Sequence, residues 1–460
     1  WDAVSSNGAA VLGSSRGIET IFEFVDRSGD KVVLSAGNNK VFKGTGTLVD
    51  ITPASYTPSA NNWKIVSLNN HVYMFQRGHE PLIGTDESGS FVLETMSGHS
   101  HSTGTAPQGN EVLAAFGKLW VADITDNKHT VYWSDTLSGH AWTGGTSGSL
   151  DLTLVWPTGF DEVVSLAAHN NFLVIFGKKS IVVYSDASSP ANMTLHDTVE
   201  GVGCIARDSV QHTGTDILFL SDSGVRSFTR TIQEKSMPMR DISKNVRTDL
   251  TTLVPLQTNA IKSLYSANEA FYLLTLPDSD TTYCFDMRSP LQDGSQRATT
   301  WSGLTLLALT TTEAGAIYIG LSSGIVEYKG YLDGTEKYQM RYFSNPMDFG
   351  NGSNLKFLKK FNITIIGGQN TDATLNWGYD YSTGFTKQVF TLTGSVNSGQ
   401  YGLSEYNTTA EYTATASINT PKVNTSGSGE VVTIGIETEI NNTAFSIQKI
   451  DIHALLGRLI

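Results

Sequence analysis

A unit of about 48 residues recurs along most of this chain, and that recurrence limits the folds open to it more than any other feature. The clearest copy is residues 163–190, VVSLAAHNNFLVIFGKKSIVVYSDASSP. Its apolar runs at 163–167, 172–176 and 181–185 are separated by Asn170 and Asn171 and by the turn 177–180. β-Branched and aromatic side chains suit a pleated surface, while Asn and Gly tolerate the positive φ of tight turns, so the unit reads as an antiparallel meander. Matching inner strands start near positions 18, 64, 112, 163, 210, 261 and 304, which are 43 to 51 residues apart. Such a period, with about four strands per unit, predicts a β-propeller. Six or seven blades fit within residues 17–334.

The 460 residues exceed one ordinary core but suit a ring of small sheets plus a second domain. Gly numbers 44 and charged residues are only 16% of the chain, as expected for an all-β protein of short strands and tight turns. No apolar run approaches the ~18 residues that span a bilayer, and no charged-then-apolar leader is visible at Trp1. Cys204 and Cys284 are far apart in sequence and read as small buried side chains rather than a disulfide. A net charge of −13 argues against a surface that grips nucleic acid, because phosphate binding draws on clustered Lys and Arg. Lys356, Lys359 and Lys360, and the group Lys235, Arg240, Lys244 and Arg247, read as solvated or subunit-facing.

Residues 1–16 are small and polar without periodicity, which suggests a segment lying against another domain. The loop 97–109, SGHSHSTGTAPQG, carries His99 and His101. Imidazole is a common metal ligand, but this loop has no Cys, Asp or Glu to complete a coordination sphere, so an exposed loop is the favoured reading. Residues 239–254 form the one convincing helix, where Ile242, Val246, Leu250 and Leu253 make a single apolar stripe with Asp241 or Ser243 as a cap. That stripe either packs on the propeller rim or docks a partner. Beyond Asp333 and Gly334 the period breaks, and 335–460 holds about six longer alternating strands of a β-sandwich, among them 361–367, 373–379, 388–392, 411–418, 431–440 and 445–453.

The order of these parts resembles a known family. Tyr184 and Ser185 end a strand, a polar crossover follows, Gly201, Gly203 and Cys204 make a turn, residues 218–228 run as a strand, and the helix and terminal sandwich follow. This sequence of parts is similar to the tail nozzle proteins (tail tubular protein B or phage stabilisation protein) of short-tailed bacteriophages. The resemblance covers nearly the whole chain, although the family's further N-terminal stretch is short or absent here. It implies a structural virion protein without enzymatic activity or cofactor. Six copies would form a ring below the portal and adaptor rings, with the 1–16 segment and the sandwich as platform. The implied partners are other copies, the adaptor or portal ring, tail fibres or spikes, and genomic DNA in transient passage. An acidic wall suits a channel through which DNA slides without sticking.

Catalytic signatures are weak. The segment 132–142, YWSDTLSGHAW, is similar to the Asp-box turn of sialidases, but its spacing is longer and that box is structural. Arg207, Arg226, Arg230 and Arg240 offer no spacing that brings them together, and the acidic runs at Asp86 and Asp278 lack the ligand spacing of a calcium loop. No phosphate loop, zincin or nucleophile-elbow motif is present. Two alternatives stay open beside the nozzle: a carbohydrate-binding propeller using Trp63, Trp120, Trp133, Trp142 or Trp301, and a glycan hydrolase.

Overall fold

The computed structural model describes residues 2–3, 17–234 and 241–459, apart from 38, 55, 59–61, 87–89, 158, 369–370 and 394–417. It divides into two compact units, Ala3–Tyr328 and Lys329–Ile460 with Trp1–Asp2. Of the N-terminal segment only the two-residue strand Asp2–Ala3 is described.

The first unit is a β-propeller, and its described residues hold seven antiparallel sheets in chain order. Their inner strands are Thr20–Val25, Lys64–Leu68, Gly109–Ala115, Val163–His169, Gln211–His212, Lys262–Ser266 and Ala308–Thr311. Inner strands of blades one to four pack in succession, as do those of blades five to seven, and the inner strand of blade one meets that of blade seven, which closes the ring. Blade four shows why the apolar runs are continuous rather than alternating. Nearly every residue of Phe172–Gly177 and Ser180–Ser185 is buried, since both faces of the sheet press on a neighbouring blade.

The core is accordingly a series of clusters between successive blades. Trp63, Met74 and Phe91 lie between blades one and two. Trp120, Trp133 and Trp156 lie between blades three and four, and Phe176, Phe219 and Cys204 between blades four and five. The crossover into blade five passes so close to blade four that a Cβ on Gly203 would stand 2.2 Å from the Lys178 carbonyl carbon. That approach is open only to glycine. Cys204 and Cys284 are both free thiols.

The expected helix is shorter than its stripe suggests. Residues 239 and 240 lie outside the described residues. The rest is a 3₁₀ turn at Lys244–Val246, an α-helix at Arg247–Leu253 and a 3₁₀ turn at Val254–Leu256. Three threonines weaken helix propensity there, and Pro255 cannot extend an α-helix. The strand expected to run through Phe228 stops at Ser227, and Phe228–Glu234 is helical instead.

The second unit is a β-sandwich. One sheet orders Tyr338–Phe343, Val432–Ile440, Thr371–Tyr379 and Thr386–Leu392. The other is built on Asn354–Gly367, which pairs along one edge with Phe445–Leu459 and along the other with Ile418–Asn419, Lys422–Asn424 and Ser428–Gly429. Phe361, Ile363, Ile365, Leu375, Trp377 and Ile434 fill the space between them. The strand expected at 411–418 lies outside the described residues except for Ile418. Tyr338–Phe343 carries no clean alternation because most of its residues are exposed on both faces, so its sequence did not announce a strand. Lys356 corrects an expectation of solvent exposure: it is fully buried, and its ammonium donates to the carbonyls of Asn351 and Glu430.

Candidate functional site at the propeller axis

Inner strands of a propeller begin beside its axis, and charged residues at or near the starts of three of them converge: Lys64 in blade two, Glu111 in blade three and Lys262 in blade six. The crossover into blade five adds Arg207 and Asp208. These five groups meet. Arg207 Nε and Nη2 donate to Asp208 Oδ1 and Oδ2 at 2.9 and 2.7 Å, a bidentate pair. Its Nη1 reaches the Asn110 carbonyl at 2.5 Å and the Asn62 carbonyl at 3.1 Å, and Nη2 reaches Asn62 Oδ1 at 2.8 Å. Lys262 Nζ donates to Asp208 Oδ2 at 2.7 Å and to Asn62 Oδ1 at 3.1 Å. Lys64 Nζ stands 3.4 Å from Asp208 and 3.7 Å from Glu111.

Burial sets the electrostatics. It favours the protonated form of Asp208, but Arg207, Lys262 and Lys64 outweigh it and hold the carboxyl well below the usual carboxylate range. Glu111 goes the other way. Burial dominates over its more distant cations and raises its pKa, consistent with an Oε2 that accepts no hydrogen bond while Oε1 accepts from Leu166 N at 3.1 Å. Burial lowers the pKa of Lys262.

A cavity of about 680 Å³ lies against the network and is lined by Asn62, Asn110, Arg207 and Asp208 together with the paired charges Arg77–Asp123 and Lys178–Glu162. A second, of about 160 Å³, is lined by Lys64, Asp208, Gln211 and Lys262. Asp208 borders both, so the network stands as a plug between them. The Ser165 hydroxyl donates to Glu111 Oε1 at 3.2 Å, and the paired charges pin the blades to one another.

The other sequence candidates are dispersed. Arg226 is buried on blade five and donates to Ser221 and Ser223, while Arg230 reaches the Gly294 carbonyl at 3.2 Å. Arg240 lies outside the described residues, and no arginine triad forms among the described ones. Asp135 accepts from Thr136 N, Thr146 N and Thr146 Oγ1 at 2.7 to 2.8 Å, so the Asp-box-like segment is a turn clasp. Asp278 accepts from Thr258 and Asn259. Trp63, Trp120 and Trp133 fill blade cores and offer no sugar platform. Ile242 and Leu250 are buried and Val246 and Leu253 half-buried, all against Leu218, Tyr272 and Leu274. The stripe is therefore spent on the propeller itself.

His99 and His101 do not stand alone. The fold brings His71 of blade two and His140 of blade three to His99, and the ligand atoms of these three lie within 4.8 Å of one another. Burial and the neighbouring imidazoles push His140 down to about 4. Sequence reasoning missed both partners because 28 and 41 residues of chain separate each from His99. It also missed the axial plug, whose signal was a charged residue at or near the start of an apolar inner strand.

Neither a protein-family model nor a curated protein matches the chain. Among solved structures it is similar to an extracellular domain assigned to a one component system of B. thetaiotaomicron, at 12% identity over 84% of this chain and 48% of that one, TM-score 0.46. It is also similar to YCF48 bound to D1 peptide, at 12% identity over 68% of this chain and 92% of that one, TM-score 0.39. The WD40 β-propeller domain of Doa1 matches at 10% identity over 58% of this chain and 93% of that one, TM-score 0.32. The chain spans about half the length of the first of these.

Proposed function

We propose that this chain is a structural virion protein, the nozzle of a short phage tail. Six copies form a ring below the portal and adaptor, meet tail fibres or spikes, and complete the channel through which genomic DNA leaves. The chain turns over no substrate.

The observation that carries this reading is the axial plug. Arg207, Asp208 and Lys262 bind four blades together across the axis with their charges paired, at the base of the cavity of about 680 Å³. Braced in this way, the propeller acts as a stiff unit. DNA would pass between copies, not through a propeller, and six chains each at −13 supply a wall that repels it. Blades present short, protected sheet edges, so copies can pack without adding strands to one another.

The test is electron microscopy of the chain in native particles. A sixfold tube beneath other rings is the expected result. Isolated discs bearing no ring in native material would overturn the reading, and glycan-array binding would then be measured.

A further inference from the structure

The turn Asn69–Asn70, with φ of 48° and 66°, leads into the second strand of blade two and places His71 at its first position. His99 follows the 3₁₀ turn Met96–Gly98 that closes blade two, and His140 sits in the turn of blade three whose carbonyl accepts from Thr103 N at 3.2 Å. Ring centroids are 5.8 Å apart for His71 and His99, 5.7 Å for His71 and His140, and 5.0 Å for His99 and His140. Three imidazoles from two blades thus converge on one point.

Their outer nitrogens are held as ligands require. His99 Nδ1–H donates to Glu94 Oε1 at 2.8 Å, which fixes the tautomer that presents Nε2. That Nε2 is buried and has no hydrogen-bond partner, an arrangement that costs free energy unless something binds there. His71 Nδ1–H donates to the Asn69 carbonyl at 2.9 Å, which likewise presents Nε2. His140 Nδ1 stands 3.5 Å from the Tyr73 hydroxyl. A carboxylate and a carbonyl thus hold Nδ1 of His99 and of His71.

We infer that His71, His99 and His140 bind a divalent transition-metal ion of the zinc class and tie blade two to blade three. Three neutral imidazoles suit zinc, and tetrahedral bonds of about 2.0–2.1 Å bring their nitrogens to about 3.3 Å from one another, a closure of at most about 1.5 Å from the present arrangement, in which they lie within 4.8 Å. The fourth position is left to solvent or to the exposed His101, whose ring is 5.8 Å from that of His99.

The test uses the full chain, expressed without a polyhistidine tag and stripped of metal, titrated with zinc chloride by calorimetry and with cobalt chloride by visible absorption. Expected are one ion per chain, a Kd near or below about 1 µM, cobalt bands of a four- or five-coordinate site, and a rise of about 5 °C in Tm at hundredfold saturation. His99→Gln and His140→Gln each weaken binding at least about tenfold, whereas His196→Gln, remote from the cluster, does not. Should a histidine variant fail to fold, Glu94→Gln keeps all three imidazoles, removes only the carboxylate that orients His99, and is expected to weaken binding by about tenfold. Absence of saturable binding up to about 100 µM zinc, or wild-type affinity in His140→Gln, overturns the inference.

Discussion

Lys262 of blade six donates to Asn62 of blade two across 3.1 Å, although 200 residues separate them. In a ring of seven these two blades are not neighbours, so their side chains can meet only at the axis. The contact gives the propeller a cross-brace that adjacent-blade packing does not supply. Without it, ring closure would rest on the packing of blade one against blade seven.

Arg207 is the hub of that brace, and its removal strands Asp208 in a buried site. Arg207→Leu is expected to destabilise the propeller by about 3–5 kcal/mol, the usual cost of breaking a buried ion pair from one side. Arg207→Lys restores the charge but not the fork that reaches Asn62, Asn110 and Asp208 together, and should recover only part of it. Urea unfolding of the three proteins measures this, and a loss below about 1 kcal/mol for Arg207→Leu would show that the brace is decorative.

The helical stripe makes a prediction of a different kind. Leu250 is 1% exposed and Leu256, six residues on, is 65% exposed. Leu250→Ala should cost about 2–4 kcal/mol and Leu256→Ala under about 0.5. Thermal melts of both variants decide it; equal and small shifts would return the stripe to the role of a docking face.

How much of this was legible in the sequence follows from which residues act locally. The blade period was readable because runs such as 172–176 and 181–185 are buried on both faces and need no distant partner to be recognised. Asn170 and Asn171, with φ of 46° and 67°, announced their hairpin in the same way. Blade seven, Ala308–Glu327, was equally plain. The plug was not, because Arg207, Glu111 and Lys262 lie on three different parts of the chain, and only ring closure makes them neighbours. The histidine cluster hid for the same reason: His99 showed a lone loop imidazole, and the fold supplied the rest.

Gly203 tests the close approach of the crossover to blade four. A methyl group there would meet the Lys178 backbone, which cannot rotate away. Gly203→Ala is expected to lose several kcal/mol, whereas Gly214→Ala, at φ 90° but with open space around it, should lose only about 1. Comparing their unfolding midpoints separates steric conflict from backbone strain.

The two buried carboxylates at the axis should give opposite pH dependences. The Asp208 pKa is depressed in the fold, so its contribution is fully present above the unfolded value near 3.9 and is lost as pH falls through the lower folded value. The Glu111 pKa is raised, so its contribution is present below the unfolded value near 4.3 and is lost as pH climbs through the folded one. Glu111→Gln keeps an acceptor for Leu166 N and removes the ionisation. Its stability relative to wild type should therefore rise between pH 4 and pH 7, about 1.4 kcal/mol for each unit by which the folded pKa exceeds the unfolded one within that range. Asp208→Asn should be less stable than wild type at neutral pH, with the gap narrowing as acid protonates the wild-type carboxylate. Urea midpoints for the three proteins across this range give both slopes. Parallel curves would mean that neither carboxylate changes its proton affinity on folding, and the electrostatic account of the plug would fail.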